Sequence, residues 1–181
     1  ERMAMAADSA GLGVWEIDMV SGLRIWDAQM FRMFGVDPDS PQADPLAIWR
    51  RTLHPEDRVR TTEAMVTALA GGRPFQAEFR IVCDDGRVRH LRGVAQVVRD
   101  EQGRALRMIG LNHDVTEQRV LEQELREQNA LMRNILDALP CGMSVFDKHL
   151  DLVASNTEYR RLLDFPNHLF EGRLPRFEDF I

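Results

Sequence analysis

The sequence predicts an α+β fold, in which a five-stranded antiparallel sheet carries short helices on one face. Two strands come first, short helical segments follow, and three strongly alternating strands complete the set. Strands joined by tight turns pair antiparallel, and helices between two groups of strands pack on the sheet. A change of period near residue 114 is the third observation, because apolar residues then recur at helical spacing and predict one long helix.

The first two strands are predicted over residues 12–27. Apolar and acidic residues alternate around Trp15, and Ser21-Gly22 marks the turn of a hairpin. A short helix rich in Ala and Met is expected before the hairpin, over residues 1–10, and a second helix is expected to end at Gly35.

A proline-rich loop is predicted next, and it includes Pro45. A helix over about residues 55–70 follows, beginning at Pro55. Proline is tolerated at the first helical position because its missing N–H has no partner there, and the acidic residues behind it favour the positive end of the helix dipole.

The last three strands are predicted over residues 74–83, 88–99 and 104–113. Apolar and polar residues alternate along the first of them. Asp85-Gly86 and Gln102-Gly103 mark the two turns, because glycine accepts the positive φ angles that tight hairpin turns require. The three strands should therefore form a meander that closes the sheet.

A long helix is predicted from Asp114 to about Leu139, before Pro140. Asp114 and Glu117 have the spacing of a capping box at its start. A seam then repeats at alternating intervals of four and three residues through Leu121, Leu125, Gln128, Met132 and Ile135. Two interpretations stay open: the helix packs on its own domain, or it pairs in parallel with a second copy as a coiled coil.

An internal repeat is predicted after Pro140. The segment CGMSVFDKHLDLVASNTEYRRLLDF repeats the strand, turn, strand and helix order of GLGVWEIDMVSGLRIWDAQMFRMFGV. Three parts are therefore expected: a domain over residues 1–113, a linker helix over 114–139, and the first part of a second domain over 140–181.

Composition excludes some classes of protein. The net charge of −6 and a pI of about 5.4 argue against a basic nucleic-acid-binding face and a polybasic membrane patch. No apolar run is long enough to span a bilayer. Two cysteines, Cys83 and Cys141, suit a reducing compartment. Since the chain starts at Glu1 and not at Met, we expect it to be part of a longer protein.

Five ordered motifs resemble a PAS domain: the GLGVWEIDM hairpin, the FGV helix ending, WRRTLHPEDR, AEFRIVCDDGRVRHLRG, and RMIGLNHDVTEQRVLEQEL. The resemblance covers residues 3–120, and residues 129–181 resemble the first half of a second PAS domain. It implies a cytoplasmic sensory and dimerising module, joined to the output domain of a bacterial sensor histidine kinase or, alternatively, of a diguanylate cyclase or phosphodiesterase. In this subfamily the junction formed here by Asp114, Val115 and Thr116 relays the signal into the helix.

A pocket between sheet and helices is the candidate ligand site. Such sites are mostly apolar, and two inward glycines would leave room for a ligand. The alternative is a solidly packed core; Trp26 and Arg92 are further candidates as polar or aromatic anchors at the edge. The candidate lining residues are Trp15, Ile17, Phe31, Phe34, Trp49, Phe79, Ile81, Leu91, Gly93, Met108 and Gly110.

No cofactor is identified from the sequence. The histidines lack metal-ligand spacing, and His54 precedes a helix start, where a capping role is favoured over haem ligation. Neither Cys83 nor Cys141 has the Asn-Cys-Arg setting that a flavin adduct needs in the light-sensing relatives. A small apolar molecule is the expected ligand class.

Three classes of function remain. The first is a sensory module that passes a change from its core into a dimeric helix, and the second is a ligand-free structural dimerisation module. The third, an enzyme fragment, lacks the polar cluster that catalysis would need, and no kinase phosphoacceptor motif or glycine-rich nucleotide loop is present. Homodimer formation, an output domain in the same chain, and no contact with nucleic acid or membrane are expected.

Overall fold

A computed structural model of the chain describes residues 10–41, 43–162 and 164. The chain divides into two compact units, Glu1–Val120 and Leu121–Ile181. Within the first unit the strands are β1 (Leu12–Asp18), β2 (Arg24–Trp26), β3 (Phe75–Val82), β4 (Val88–Arg99) and β5 (Ala105–Asp114). They form one sheet in the order β2-β1-β5-β4-β3, with every neighbouring pair antiparallel, so the predicted five-stranded antiparallel sheet is confirmed.

The alternating pattern along β3 is realised as burial on one face. Phe75, Ala77, Phe79 and Ile81 are buried, whereas the residues between them are exposed or half-buried. Successive side chains of a strand point to opposite faces, so this parity turns one face of the sheet towards the helices. The turn before β4 contains Gly86 at a φ of 82°, a conformation that residues with a Cβ rarely adopt.

Four short helical segments lie between β2 and β3. They are α1 (Ala28–Phe34), α2 (Pro45–Thr52), a 3₁₀ turn (Pro55–Asp57) and α3 (Arg58–Leu69). The prediction that Pro45 belongs to a loop is wrong. Pro45 occupies the first turn of α2, and the Asp44 carboxylate caps that helix by accepting the Ala47 N–H at 2.9 Å. The single helix predicted from about residue 55 to 70 is divided into the 3₁₀ turn and α3.

The helix α4 (Thr116–Ala138) leaves the last strand of the sheet, and none of its residues is buried. In the second unit β6 (Ser144–Phe146) pairs antiparallel with β7 (Leu152–Ser155), and α5 (Thr157–Leu162) follows. This is the order predicted for the start of a repeat. The predicted helix over residues 1–10 and most of the segment after residue 164 lie outside the described residues.

No helix in the described part of the chain is both long and apolar enough to cross a bilayer.

Candidate functional site

A cavity of about 170 Å³ lies between the sheet and the helices of the first unit. Its walls come from β1, β2, α1, α2, α3 and β3, together with one residue of β5. All three tryptophans of the chain, Trp15, Trp26 and Trp49, line it. Trp49 meets Phe79 edge-on with ring centroids 5.1 Å apart, and Trp15 meets Phe75 in the same way at 6.3 Å. Aromatic rings therefore form part of a cavity wall whose remaining residues are mostly aliphatic or methionine.

Four of the candidate lining residues border this cavity: Trp15, Ile17, Trp49 and Phe79. Four others, Phe34, Ile81, Leu91 and Met108, are completely buried in the packed core, and Phe31 packs against that core. Alternation along the strands directs the strand residues among them to one face of the sheet, and the others lie on the helices that cover this face. Only their packing in three dimensions separates the cavity wall from the solid core.

The two glycines do not leave room for a ligand, contrary to the expectation from the sequence. Gly110 lies opposite Trp15 across β1 and β5, and a Cβ at Gly110 would come within 2.3 Å of the indole ring. A Cβ at Gly93 would come within 2.8 Å of Asn112 Oδ1 and within 3.1 Å of two phenylalanine rings. The space that the glycines provide is filled by protein side chains.

Asn112 is a polar residue in the cavity wall that is not among the lining residues predicted from the sequence. It is 2% exposed, and its Oδ1 accepts a hydrogen bond from Trp15 Nε1 at 3.2 Å. A signal for it was available, because Asn112 has the inward parity of Met108 and Gly110 on the same strand. A polar residue at an inward position is worth attention because an unpaired buried amide costs free energy.

Of the two candidate anchors at the edge, Trp26 lies in the cavity wall and Arg92 does not. Trp26 lines the cavity and packs against Phe34, with ring centroids 4.5 Å apart. Arg92 is exposed and forms an ion pair with Glu78 across β3 and β4. Arg92 alternates with the buried Leu91 and Gly93, so it lies on the opposite face of the sheet from the cavity.

A hydrogen-bond network surrounds Asp114, Val115 and Thr116, where β5 passes into α4. Asp114 Oδ2 pairs with Arg89 at 3.2 Å, and its Oδ1 accepts both the backbone N–H and the hydroxyl of Thr116. The Thr116 hydroxyl oxygen also accepts the His90 N–H at 2.8 Å, while the buried Val115 donates its N–H to the His90 carbonyl at 2.8 Å. The start of the helix is thus bonded to β4 as well as to its own strand.

The predicted capping box between Asp114 and Glu117 differs from this arrangement. Asp114 still belongs to β5, where it pairs with Leu91, so it lies one residue too early to cap α4. Its carboxylate bonds to the N–H two residues on, at Thr116, and not to the N–H of Glu117.

A second connection joins the first turns of α4 to the outer face of the sheet. Arg119 forms an ion pair with Glu78 on β3, and the same carboxylate is paired with Arg92 on β4. The hydrogen bond from Arg92, followed by that from Arg119, lowers the pKa of Glu78. Although exposed ion pairs are individually weak, this one connects the helix to two strands.

His54 caps a helical turn, and the two cysteines differ in burial. His54 Nδ1 accepts the Glu56 N–H at 3.3 Å and so caps the 3₁₀ turn, as predicted. Cys83 is buried, and this burial raises the pKa of its thiol, whereas Cys141 is exposed. Among the residues described, no three His, Cys, Asp or Glu side chains are grouped so that they could hold a metal ion.

An antiparallel five-stranded sheet with short helices packed on one face, and a long helix leaving its last strand, defines an α+β class of domain. Two family descriptions, both named PAS fold, match residues 24–112 and 136–181, and together they cover most of the chain. The chain belongs to the PAS family. The predicted resemblance is confirmed, and the module has a role in signal transduction.

Relatives with curated names match most of this chain but only part of their own length. The probable diguanylate cyclase DgcE of Escherichia coli is 29% identical over 86% of this chain and 14% of its own length. The sensor protein FixL of Bradyrhizobium diazoefficiens is 28% identical over 90% of this chain and 32% of its own length. A crystal structure of a sensory box histidine kinase/response regulator from Burkholderia thailandensis superposes with a TM-score of 0.60 at 23% identity, covering 74% of this chain and 99% of that one. That structural likeness establishes the fold.

Proposed function

We propose that the first unit senses a small molecule in its cavity and passes the change through Asp114, Val115 and Thr116 into α4. The observation that carries this proposal is that the Thr116 hydroxyl bonds to two strands. It accepts a hydrogen bond from the backbone N–H of His90 on β4 and donates one to the carboxylate of Asp114 on β5. A shift between these two strands would change the geometry of the first helical turn. Such coupling needs a differential stability of only about 1–3 kcal/mol.

The distribution of cavity residues supports the input half of the proposal. Trp15 lines the cavity on β1, and its register partner on β5 is Gly110, four residues before Asp114. A ligand that moves the Trp15 ring presses directly on β5, because no side chain at Gly110 separates the ring from that strand. The path from the cavity to the helix therefore runs along a single strand.

The output half of the proposal is a parallel homodimer along α4. The seam residues Leu121, Leu125, Met132 and Ile135 are all more than half exposed in the single chain. Burying a leucine side chain contributes roughly 1.5–3 kcal/mol, so a seam repeated in two chains offsets the cost of association. A second copy of α4 supplies the matching seam.

The parent protein is proposed to be a cytoplasmic sensor histidine kinase, with catalysis carried out by an output domain and not by this module. The kinase in the name of the Burkholderia structure and the sensor role of FixL favour this assignment. The alternative, an input module of a diguanylate cyclase, is supported by the similarity to DgcE.

Amide hydrogen exchange at the start of α4 tests the relay. Small monocyclic aromatic probes are added to the chain, and exchange is measured over residues 115–119. Binding should change the exchange of these amides, and Thr116→Val should reduce that change without altering the affinity of the probe. The matched control is Thr62→Val, an exposed threonine on α3 away from the junction.

Two outcomes would contradict the proposal. Saturable binding with no change at residues 115–119 would identify a structural dimerisation module with an uncoupled cavity. No binding of any probe would show that the cavity is not the input site.

A further inference from the structure

The NH₂ group of the Asn112 side chain is available to donate hydrogen bonds. Asn112 Oδ1 accepts from Trp15 Nε1, whereas Asn112 Nδ2 donates to none of the described residues. The orientation of the amide is determined by chemistry, since an indole N–H can only donate and must face the amide oxygen. The NH₂ group is therefore a free donor on a residue that is 2% exposed and borders the cavity.

The size of the cavity limits what can meet that donor. Its volume of about 170 Å³ is close to the roughly 150 Å³ of an apolar protein cavity that accepts benzene. One ring with a small substituent fills such a space. The aromatic rings in the wall favour an aromatic guest, because rings pack edge-to-face or offset with a gain beyond their buried area.

Two charged residues border the cavity. Glu16 is paired with Arg107, and Arg24 donates to the Gly22 carbonyl. The deep polar contact is a neutral amide, and burying an ionised group without a charged partner is costly. A neutral guest therefore suits the Asn112 end of the cavity better than an anion.

We infer that the ligand of this cavity is a neutral, single-ring aromatic molecule with one hydrogen-bond acceptor, such as a carbonyl oxygen, which takes the N–H of Asn112 Nδ2. This inference rests on the proposed function, since it names the chemistry of the proposed input. Trp15 acts as the positioning residue, because its indole N–H holds the amide with Nδ2 free.

The test uses acetophenone and ethylbenzene, which have the same shape but differ in the acceptor, with benzoate as the anionic counterpart. All three tryptophans line the cavity, so the indole signals in ¹H–¹⁵N spectra of the intact chain report binding. Acetophenone should move these three signals saturably and should also shift the Asn112 side-chain NH₂ signals downfield. Ethylbenzene should move the indole signals without that downfield shift.

Asn112→Leu supplies the second measurement. It should lower the affinity for acetophenone relative to ethylbenzene by about three- to tenfold, the net effect of one hydrogen bond. If the variant does not fold, the Asn112 side-chain signals of the parent chain decide the question alone.

Each contrary result has a distinct meaning. Ethylbenzene binding with an unchanged affinity ratio in Asn112→Leu, or acetophenone binding without a shift of the Asn112 NH₂ signals, overturns the inference and leaves the proposed input site intact. Tighter binding of benzoate than of acetophenone overturns the requirement for a neutral ligand. If none of the three probes moves the indole signals, both the inference and the proposed input site fail.

Discussion

Asp27 and Asn156 occupy the same place in the two repeats and make the same backbone contacts. The N–H of Asp27 donates to the Val14 carbonyl at 3.0 Å, and the N–H of Asn156 donates to the Met143 carbonyl at 3.0 Å. Each side chain in turn accepts the N–H of that same partner residue, at 2.9 Å from Val14 and 2.8 Å from Met143.

Both side chains also cap the helix that follows. Asp27 accepts the Met30 N–H at 2.8 Å, and Asn156 accepts the Tyr159 N–H at 2.9 Å. The internal repeat is therefore present in individual hydrogen bonds, not only in the order of elements.

The chemistry of the two residues nevertheless differs. Asp27 uses both carboxylate oxygens as acceptors, whereas Asn156 accepts both N–H groups with Oδ1 and donates from Nδ2 to the Leu136 and Cys141 carbonyls. The second repeat thus bonds to the last turns of α4 through a donor that aspartate lacks. Asp137 adds to this attachment by accepting the N–H and hydroxyl of Thr157.

Replacing each side chain by that of the other should therefore destabilise the unit in which the change is made. Asp27→Asn turns an NH₂ group towards a backbone N–H, and Asn156→Asp places a carboxylate against two carbonyl oxygens. Each change should cost about 1–3 kcal/mol, the cost of a buried polar group left unsatisfied. Denaturation followed by tryptophan emission reports the first variant, and amide exchange at Met143 and Tyr159 reports the second. Asp39→Asn in the exposed loop is the control, and equal stability of all three variants would contradict the prediction.

Gly110→Ala should destabilise the first unit by about 1–3 kcal/mol, the usual cost of overpacking a core. The new Cβ would lie within 2.3 Å of the Trp15 ring, which is held by Asn112 and has little freedom to move. Gly13→Ala is the comparison on β1, since its new Cβ would meet Met30 at Sδ (2.7 Å), Cγ (2.9 Å) and the backbone N (3.2 Å), and an unbranched thioether adjusts more easily than an indole ring. Urea denaturation of both variants measures the difference. A Gly110→Ala chain as stable as Gly13→Ala would show that the ring shifts readily.

Asp57→Asn should lower stability at neutral pH by about 1–3 kcal/mol. The Asp57 carboxylate is buried and accepts from the Arg80 backbone N–H at 2.8 Å and from Arg80 Nε at 2.9 Å. Arg80 holds the pKa of this carboxyl far below its ordinary value.

The sign of its pH dependence follows from that lowered pKa. Because the folded pKa is below the unfolded one, the contribution of Asp57 is fully present above about pH 4 and declines as the pH falls further. The free energies of unfolding of parent and variant should therefore differ most at neutral pH and converge in acid. Glu56→Gln, which alters an exposed partner of Arg80, should have a much smaller effect. A difference that stays constant down to pH 2 would contradict this account.

Leu125→Asp should break the proposed dimer while leaving the first unit folded. Leu125 is 60% exposed in the single chain, so aspartate at this position disrupts only an interface with a second copy. Ala130→Asp adds the same charge on the opposite side of α4 and should leave the dimer intact. Sedimentation of the three proteins at equal concentration is the measurement. A parent chain that is monomeric at tens of micromolar, where weak coiled coils begin to associate, would rule out the dimer.

Much of the fold could be predicted because it depends on local periodicity. The alternation in β3 and the glycine turns before β4 and β5 specify a meander whose pairing follows from chain order. The repeat after Pro140 could also be seen from the sequence, since both copies use the same order of short elements. The helix α2 is not evident from its proline content, because proline is common in loops, and only the pairing of Asp44 with Pro45 indicates a helix start.

The site depended on the tertiary structure. Parity alone places Trp15, Met108, Gly110 and Asn112 on one face of the sheet, but it cannot tell which side chain fills the space above a glycine. The Trp15 ring occupies that space over Gly110. The indole N–H of Trp15 also orients the amide of Asn112, which lies 97 positions further along the chain. Likewise, the pairing of Arg119 with Glu78 joins residues 41 positions apart. Such contacts are made only when strands and helices distant in the chain are packed together, whereas alternation and turn chemistry act between near neighbours and can be recognised in the sequence.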